Sequence, residues 1–151
     1  MIRLVSLVLL VAATAWAQTQ GPPPTAPVLT DLSTPAATAN FVYQTKHRAV
    51  VLMGDPTPLA FDLLRDLGHR GVEVYLVCPA HLATACRALP GVEDLAITQE
   101  APKPLWLLDG STFLVSPYLD TRFGSARSFA MTSKAAAEML EEFLASFFAG
   151  S

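Results

Sequence analysis

Apolar residues fall along this chain in runs whose period changes from strand-like to helix-like. Ala49-Val50-Val51-Leu52-Met53 is a continuous apolar run ended by Gly54-Asp55, the pattern of a strand buried on both faces in a mainly parallel sheet. Thr57-Pro58 supplies an N-cap and a first-turn proline, after which Leu59, Leu63, Leu64 and Leu67 recur at helical spacing until Gly68 and Gly71 break the pattern. Val72 to Val77 follows with strong β-propensity. Strand, helix and strand within about thirty residues is the size of a crossover unit, so at least part of the sheet is expected to be parallel.

Beyond Pro79 a weaker helical stretch carries Leu82, Ala85, Cys86 and Leu89, stopped by Pro90-Gly91 ahead of a third strand over Val92 to Thr98. Leu105 to Leu108 and Phe113 to Val115 flank Asp109-Gly110-Ser111-Thr112, and Asp-Gly is a strong hairpin signal, so an antiparallel pair joins the sheet. Ser128 to Met131 predicts one more strand. Thr132 or Ser133 then caps a final helix with Ala136, Leu140, Phe143, Leu144 and Phe147 as its apolar positions. The fold class expected is α/β: a mixed, partly parallel sheet flanked by helices.

The two segments ahead of this unit have a different character. Met1-Ile2-Arg3 precedes the apolar run Leu4 to Ala13 and the small-residue pattern Thr14-Ala15-Trp16-Ala17. That is the layout of a secretory signal peptide over residues 1–17, and the apolar run is shorter than the roughly 20 residues a bilayer span requires. Export to the periplasm or the medium is expected, with no stable membrane span after cleavage. Residues 18–40, rich in Pro, Ala and Thr and including Pro22-Pro23-Pro24, are expected to be an extended linker. Within its second half and beyond, Pro35 to Lys46 has enough apolar residues for a short helix packed on the domain, which is placed at 41–151.

Composition narrows the function classes. The 151 residues are 52% hydrophobic and 15% charged with a formal charge of −3, which fits a packed core and excludes a disordered chain. No Lys/Arg cluster is present, so nucleic acid is not an expected partner. The two cysteines lack redox CxxC spacing. Cys78 and Cys86 form a disulfide if their Cα atoms approach within about 7 Å, and otherwise are two buried thiols; spacing leaves both open.

Of the three histidines, His81 alone falls just past the carboxyl end of a predicted strand, where open parallel sheets place their active groups. It is a catalytic candidate on that ground. His69 ends a helix and His47 precedes a strand. No second ligand lies at metal spacing from His81, and neither a metal nor another cofactor is expected. Asp55-Pro56-Thr57-Pro58 is a cap and turn, or a carboxylate beside a helix amino terminus at the sheet edge. Arg122, Arg127 and Lys134 flank Phe123-Gly124-Ser125 as a small basic and aromatic patch.

The order of elements from Tyr43 to Phe148 resembles a half of the phospholipase D superfamily. Three segments carry the likeness: Leu63 to Val74 with its Arg70-Gly71-Val72 turn between helix and strand, the hairpin from Leu105 to Val115, and the closing strand and helix from Ser128 to Phe148. The family's chemistry uses His-x-Lys, then Asp five residues on, and Gly-Ser-x-Asn beyond; the histidine is the nucleophile and the other groups hold phosphate. With Asp109 on the family aspartate, Pro102 stands at the histidine, Pro104 at the lysine, Ser116-Pro117 at Gly-Ser and Leu119 at the asparagine. Asp109 and the displaced Ser116 are what remains of the motif as candidates, and Asp-Gly makes hairpins without catalysis. Lys103 neighbours the vacated position but is expected to face away.

The resemblance therefore implies an exported, degenerate phospholipase D-like protein without phosphodiesterase activity, serving as a binding or structural module at the cell envelope. Two alternatives stay open. One is a phosphodiesterase working through a non-standard site or an intact partner subunit, since active sites of the family combine two motif copies; a homo- or heterodimer with a phospholipase D-like chain is the partner arrangement that follows. The other is a generic small-ligand-binding α/β domain using the sheet edge near Asp55 and His81.

Overall fold

The computed structural model describes residues 28–149. The expected signal peptide, and residues 18–27 of the expected linker, lie outside the described residues. The elements are β1 (Val28–Leu32), α1 (Pro35–Tyr43), β2 (Arg48–Leu52), α2 (Pro58–His69), β3 (Glu73–Pro79), a 3₁₀ turn (Ala80–Leu82), α3 (Ala83–Arg87), β4 (Val92–Thr98), β5 (Leu105–Leu108), β6 (Thr112–Val115), β7 (Ser128–Thr132) and α4 (Lys134–Ala149).

Seven strands form one sheet in the order β1-β7-β6-β5-β2-β3-β4. β2, β3 and β4 pair in parallel, whereas β2–β5, β5–β6, β6–β7 and β7–β1 pair antiparallel. The expected mixed, partly parallel sheet is what the chain builds.

The unbroken apolar character of β2 follows from its central position. Ala49, Val51 and Met53 pack into a core shared with Leu63, Leu64 and Leu67 of α2 and Val42 of α1. Val50 and Leu52 face the opposite side, where they meet Leu107 of β5, Val77 of β3, and Ala137 and Leu144 of α4. Each strand residue alternates between faces, and both faces are covered by helix. α4 keeps Ala137 and Leu144 inward but leaves Phe143 61% exposed, so the inward stripe includes Ala137 rather than the expected Ala136 and omits Phe143. Ser133 caps it, its Oγ accepting from the Ala136 N–H.

Within residues 28–40 the strand β1 is an element the expected linker did not include, whereas the short helix expected over Pro35 to Lys46 is present as α1. Val28–Leu32 pairs with β7 along its whole length, and Pro35–Tyr43 is a helix whose N-cap Thr34 accepts from the Ala37 N–H at 3.1 Å. Proline at the first helical position and threonine before it are good helix-start chemistry. The same Pro/Thr composition that suggests a spacer here starts an element, because the edge of β7 supplies the hydrogen bonds that β1 lacks alone. The ordered unit thus begins before residue 41.

The close approach of α2 to the turn before β4 sets the depth of that layer. A Cβ on Gly68 would lie 2.0 Å from the Pro90 carbonyl oxygen, a backbone atom that cannot swing aside. Gly68→Ala is therefore expected to lower stability by about 1–3 kcal/mol through overpacking, against the small gain a helix normally draws from alanine. Urea denaturation measures it; an unchanged or raised midpoint would show that α2 and the Pro90 turn are not in contact.

Candidate functional site

Strand direction sorts the chain's polar groups onto two edges of the sheet. The carboxyl ends of β1, β2, β3, β4 and β6 share one edge with the starts of β5 and β7, as the registers Leu52↔Leu105, Leu32↔Ser128 and Val115↔Phe129 require. Gly54 to Pro58, His81, Pro102 to Pro104 and Ser116 to Arg127 belong to this edge. Asp109 is at the other one, in the hairpin between β5 and β6.

Asp109 and Gly110 both have positive φ, 53° and 66°, and the Ser111 N–H donates to the Leu108 carbonyl at 3.2 Å, which makes the hairpin a type I′ turn. The Asp109 carboxylate then accepts three backbone N–H groups, from Lys46 at 2.9 Å, His47 at 2.8 Å and Arg48 at 3.0 Å. Partial burial works to raise its pKa, yet these three donors outweigh that and hold it below the ordinary carboxylate range. The group ties the entry of β2 to the hairpin.

At the first edge the organising group is Asp120, which the sequence reading did not single out. It is 3% exposed and its carboxylate accepts from the N–H of Gly54 at 2.8 Å, of Asp55 at 2.9 Å and of Arg122 at 3.0 Å. The loop from Ser116 is thereby laid across the end of β2. Thr57, the N-cap of α2, accepts from the Ala60 N–H and donates its hydroxyl to the Tyr118 carbonyl at 2.6 Å. Its own N–H donates to the Leu119 carbonyl at 3.0 Å, and Thr121 donates through Oγ1 to the Asp55 carboxylate. Gly54 is a close-approach glycine: a Cβ there would meet Arg122 Cδ at 2.9 Å and Asp120 Oδ1 at 3.2 Å. Asp55 and Thr57 therefore act as turn and cap, with their polar atoms engaged by the loop.

Ser116 is buried, 3% exposed, and its Oγ accepts from Ser128 Oγ at 2.6 Å and from the Tyr118 N–H at 3.0 Å. Ser128 Oγ lies 2.9 Å from Thr38 Oγ1, and Thr38 donates to the Thr34 carbonyl at 3.0 Å. Three buried hydroxyls thus join β6, β7 and α1, satisfying one another where unpaired polar groups would be costly. Pro102 and Pro104 are half-buried before β5, and Lys103 between them is exposed. Pro102, Asp109 and Ser116 do not line one cleft: Asp109 is across the sheet from the other two.

His81 is exposed on the 3₁₀ turn after β3, the location expected for it, and His69 is exposed in the last turn of α2. The basic patch is divided. Arg127 pairs with Asp31 at 2.9 Å beside the start of β7, Arg122 lies over Gly54, and Lys134 starts α4 beyond the other end of β7. A cavity of about 650 Å³, lined by Arg48, Tyr75, Glu138, Glu141, Glu142 and Phe148 among others, opens between α4 and the sheet, with Arg48 ion-paired to Glu141. Among the described residues no group of His, Cys, Asp or Glu is arranged to hold a metal, and no helix is long and apolar enough to cross a membrane.

The Asp109 carboxyl gives a pH test. A carboxyl depressed in the folded state contributes stability that is complete above its unfolded pKa of about 4 and is lost as pH falls through the lower folded value. Asp109→Asn is expected to cost about 1 kcal/mol at pH 7, and that deficit to shrink on acidification below pH of about 4. Urea midpoints across the acid range check it. A deficit independent of pH would place the contribution in the shape of the turn and not in the charge.

No family model and no curated protein sequence matches the chain. Solved structures do. A phospholipase D family member, Nuc from Salmonella typhimurium, superposes with a TM-score of 0.61 at 14% identity over 81% of this chain and 94% of that one. TrmBL2, an archaeal chromatin protein, gives 0.56 at 12% identity over 98% of this chain and 61% of its own, and NucT from Helicobacter pylori 0.57 at 7% over 81% and 94%. At these identities the likeness is one of architecture: the chain has a phospholipase D-like fold, an open, partly parallel sheet of seven strands flanked by helices.

Proposed function

We propose that this is an exported, degenerate phospholipase D-like protein that has lost phosphodiesterase chemistry and serves as a binding or structural module at the cell envelope. The observation that carries the reading is the state of the sheet edge at the end of β2. Pro102 and Pro104 occupy the motif positions of the nucleophilic histidine and the phosphate-binding lysine. Proline has no group that attacks phosphorus, transfers a proton or bears positive charge. The hydroxyl next to the lost serine position, on Ser116, is buried against Ser128. Open α/β sheets take ligands in the crevice outside the carboxyl ends of their strands; here the Gly54 and Asp55 N–H groups at that position already hold the chain's own carboxylate, Asp120.

A binding role is favoured by where the apolar surface remains. Leu29 of β1 and Met131 of β7 are cross-strand neighbours, 68% and 36% exposed. By alternation they share the α4 side of the sheet, on which Met139 is 53% exposed. The partner class we assign to the chain is another phospholipase D-like chain, a second copy or a different one, because the family completes its sites from two halves. TrmBL2, a chromatin protein of the same architecture, supports a use of this fold apart from hydrolysis.

Cell fractionation followed by assay tests the proposal. The chain should be recovered outside the cytoplasm without its first 17 residues. In that form it should release nitrophenolate from bis(p-nitrophenyl) phosphate no faster than buffer and leave short single-stranded DNA intact. Turnover by the isolated chain that disappears in His81→Ala would overturn the loss of chemistry, and an unprocessed cytoplasmic chain would overturn the envelope assignment.

A further inference from the structure

We propose that Cys78 and Cys86 are joined by a disulfide in the folded chain, closing the corner between β3 and α3 that carries His81. Cys78 is the penultimate residue of β3 and Cys86 sits on the five-residue α3; both are fully buried. Their Sγ atoms are 2.6 Å apart. The two are free thiols in this structure, and that separation is about half an ångström beyond an S–S bond of roughly 2.05 Å. The third sulfur nearby, Met53 Sδ, is 3.6 Å from Cys86 Sγ and is chemically unable to compete for either thiol.

The corner has a structural use for such a bond. Neither the 3₁₀ turn nor α3 has a side-chain cap, and a helix of five residues has little stability of its own. Cys86 is the buried residue of α3, so its sulfur is where the helix is held to the sheet. A metal-binding role is not supported, since among the described residues no third ligand joins the pair. A catalytic thiol is not supported either, because both sulfurs are shielded from substrate.

The oxidant is a small-molecule disulfide such as glutathione disulfide. Either cysteine can react first, and the exchange is the same in either order; take Cys78 as the first. Its thiolate attacks one sulfur of glutathione disulfide and expels one glutathione thiolate. Cys86, on losing its proton, then attacks the Cys78 sulfur of the mixed disulfide and expels the second. Two protein thiols and one glutathione disulfide become one protein disulfide and two glutathione thiols, which carry the two protons away. Because the sulfurs are buried, the reagent reaches them while α3 is swung out or before the chain has folded.

The test uses the full chain, reduced, unfolded and then refolded in glutathione disulfide, with remaining thiols alkylated by N-ethylmaleimide under denaturing conditions. The expected product is monomeric, two hydrogens lighter than the reduced chain, free of maleimide and glutathione, with peptides containing residues 78 and 86 linked. Reduction should then lower its melting temperature by about 5 °C or more, and should not move a Cys78→Ala/Cys86→Ala variant. Two maleimides per chain, stable glutathione adducts or disulfide-linked dimers would overturn the proposal. Refolding through the unfolded state removes burial as a reason for failure, and none of these readouts depends on whether the chain hydrolyses phosphodiesters.

Discussion

A buried carboxylate resting on two backbone N–H groups at the end of the central strand governs the architecture of this molecule. Asp120 binds Gly54 and Asp55, and with them the turn that launches α2. A charge-assisted contact of this kind is stronger than an ordinary amide pair and is costly to break when buried. Its geometry favours glycine at 54, since a Cβ there would press on the Arg122 side chain at 2.9 Å and on the carboxylate itself at 3.2 Å. The loop that delivers Asp120 also places Tyr118, whose hydroxyl donates to the Ser33 carbonyl at 2.8 Å, and so reaches the joint between β1 and α1. One contact thus links strand, helix start, covering loop and the edge strand on the far side of the sheet.

The two aspartates that each collect three backbone N–H groups differ in how visible they are in the sequence. Asp109 announces itself, because Asp-Gly between two apolar runs is local turn chemistry, and the structure places it in that turn. Asp120 has no local signature; its partners at Gly54 and Asp55 are 66 and 65 residues away. The same distinction holds for the elements. β2, α2 and β3 are legible because their periods are long and their covers, on both faces, agree with them. β1 is not, because a short Pro/Thr-flanked segment becomes a strand only when β7 offers an edge. The inward stripe of α4 is legible in part: Leu144 is core as its spacing suggests, while Phe143, the residue before it, lies on the outer side of the helix.

The site shows a further division between motif and geometry. Pro102 and Pro104 lie just before β5, at the edge where β2 and β3 end, and the motif register expected from the sequence rests on the residues alone. That register does not reveal that Ser116 is buried among hydroxyls, nor that the crevice is covered by the segment following it. Closure of the edge has one consequence: the Gly54 and Asp55 N–H groups that could donate to an anion from outside are satisfied from within by Asp120.

An amide-resolved NMR titration with inorganic phosphate tests that closure most directly. The account predicts that the Gly54 and Asp55 amide signals stay where they are, beyond the drift seen in a matched ionic-strength control, and that both amides exchange slowly with solvent. Saturable shifts centred on Gly54, Asp55 and His81, with fast exchange at the first two, would contradict it by showing that the edge opens to an anion and that Asp120 gives way.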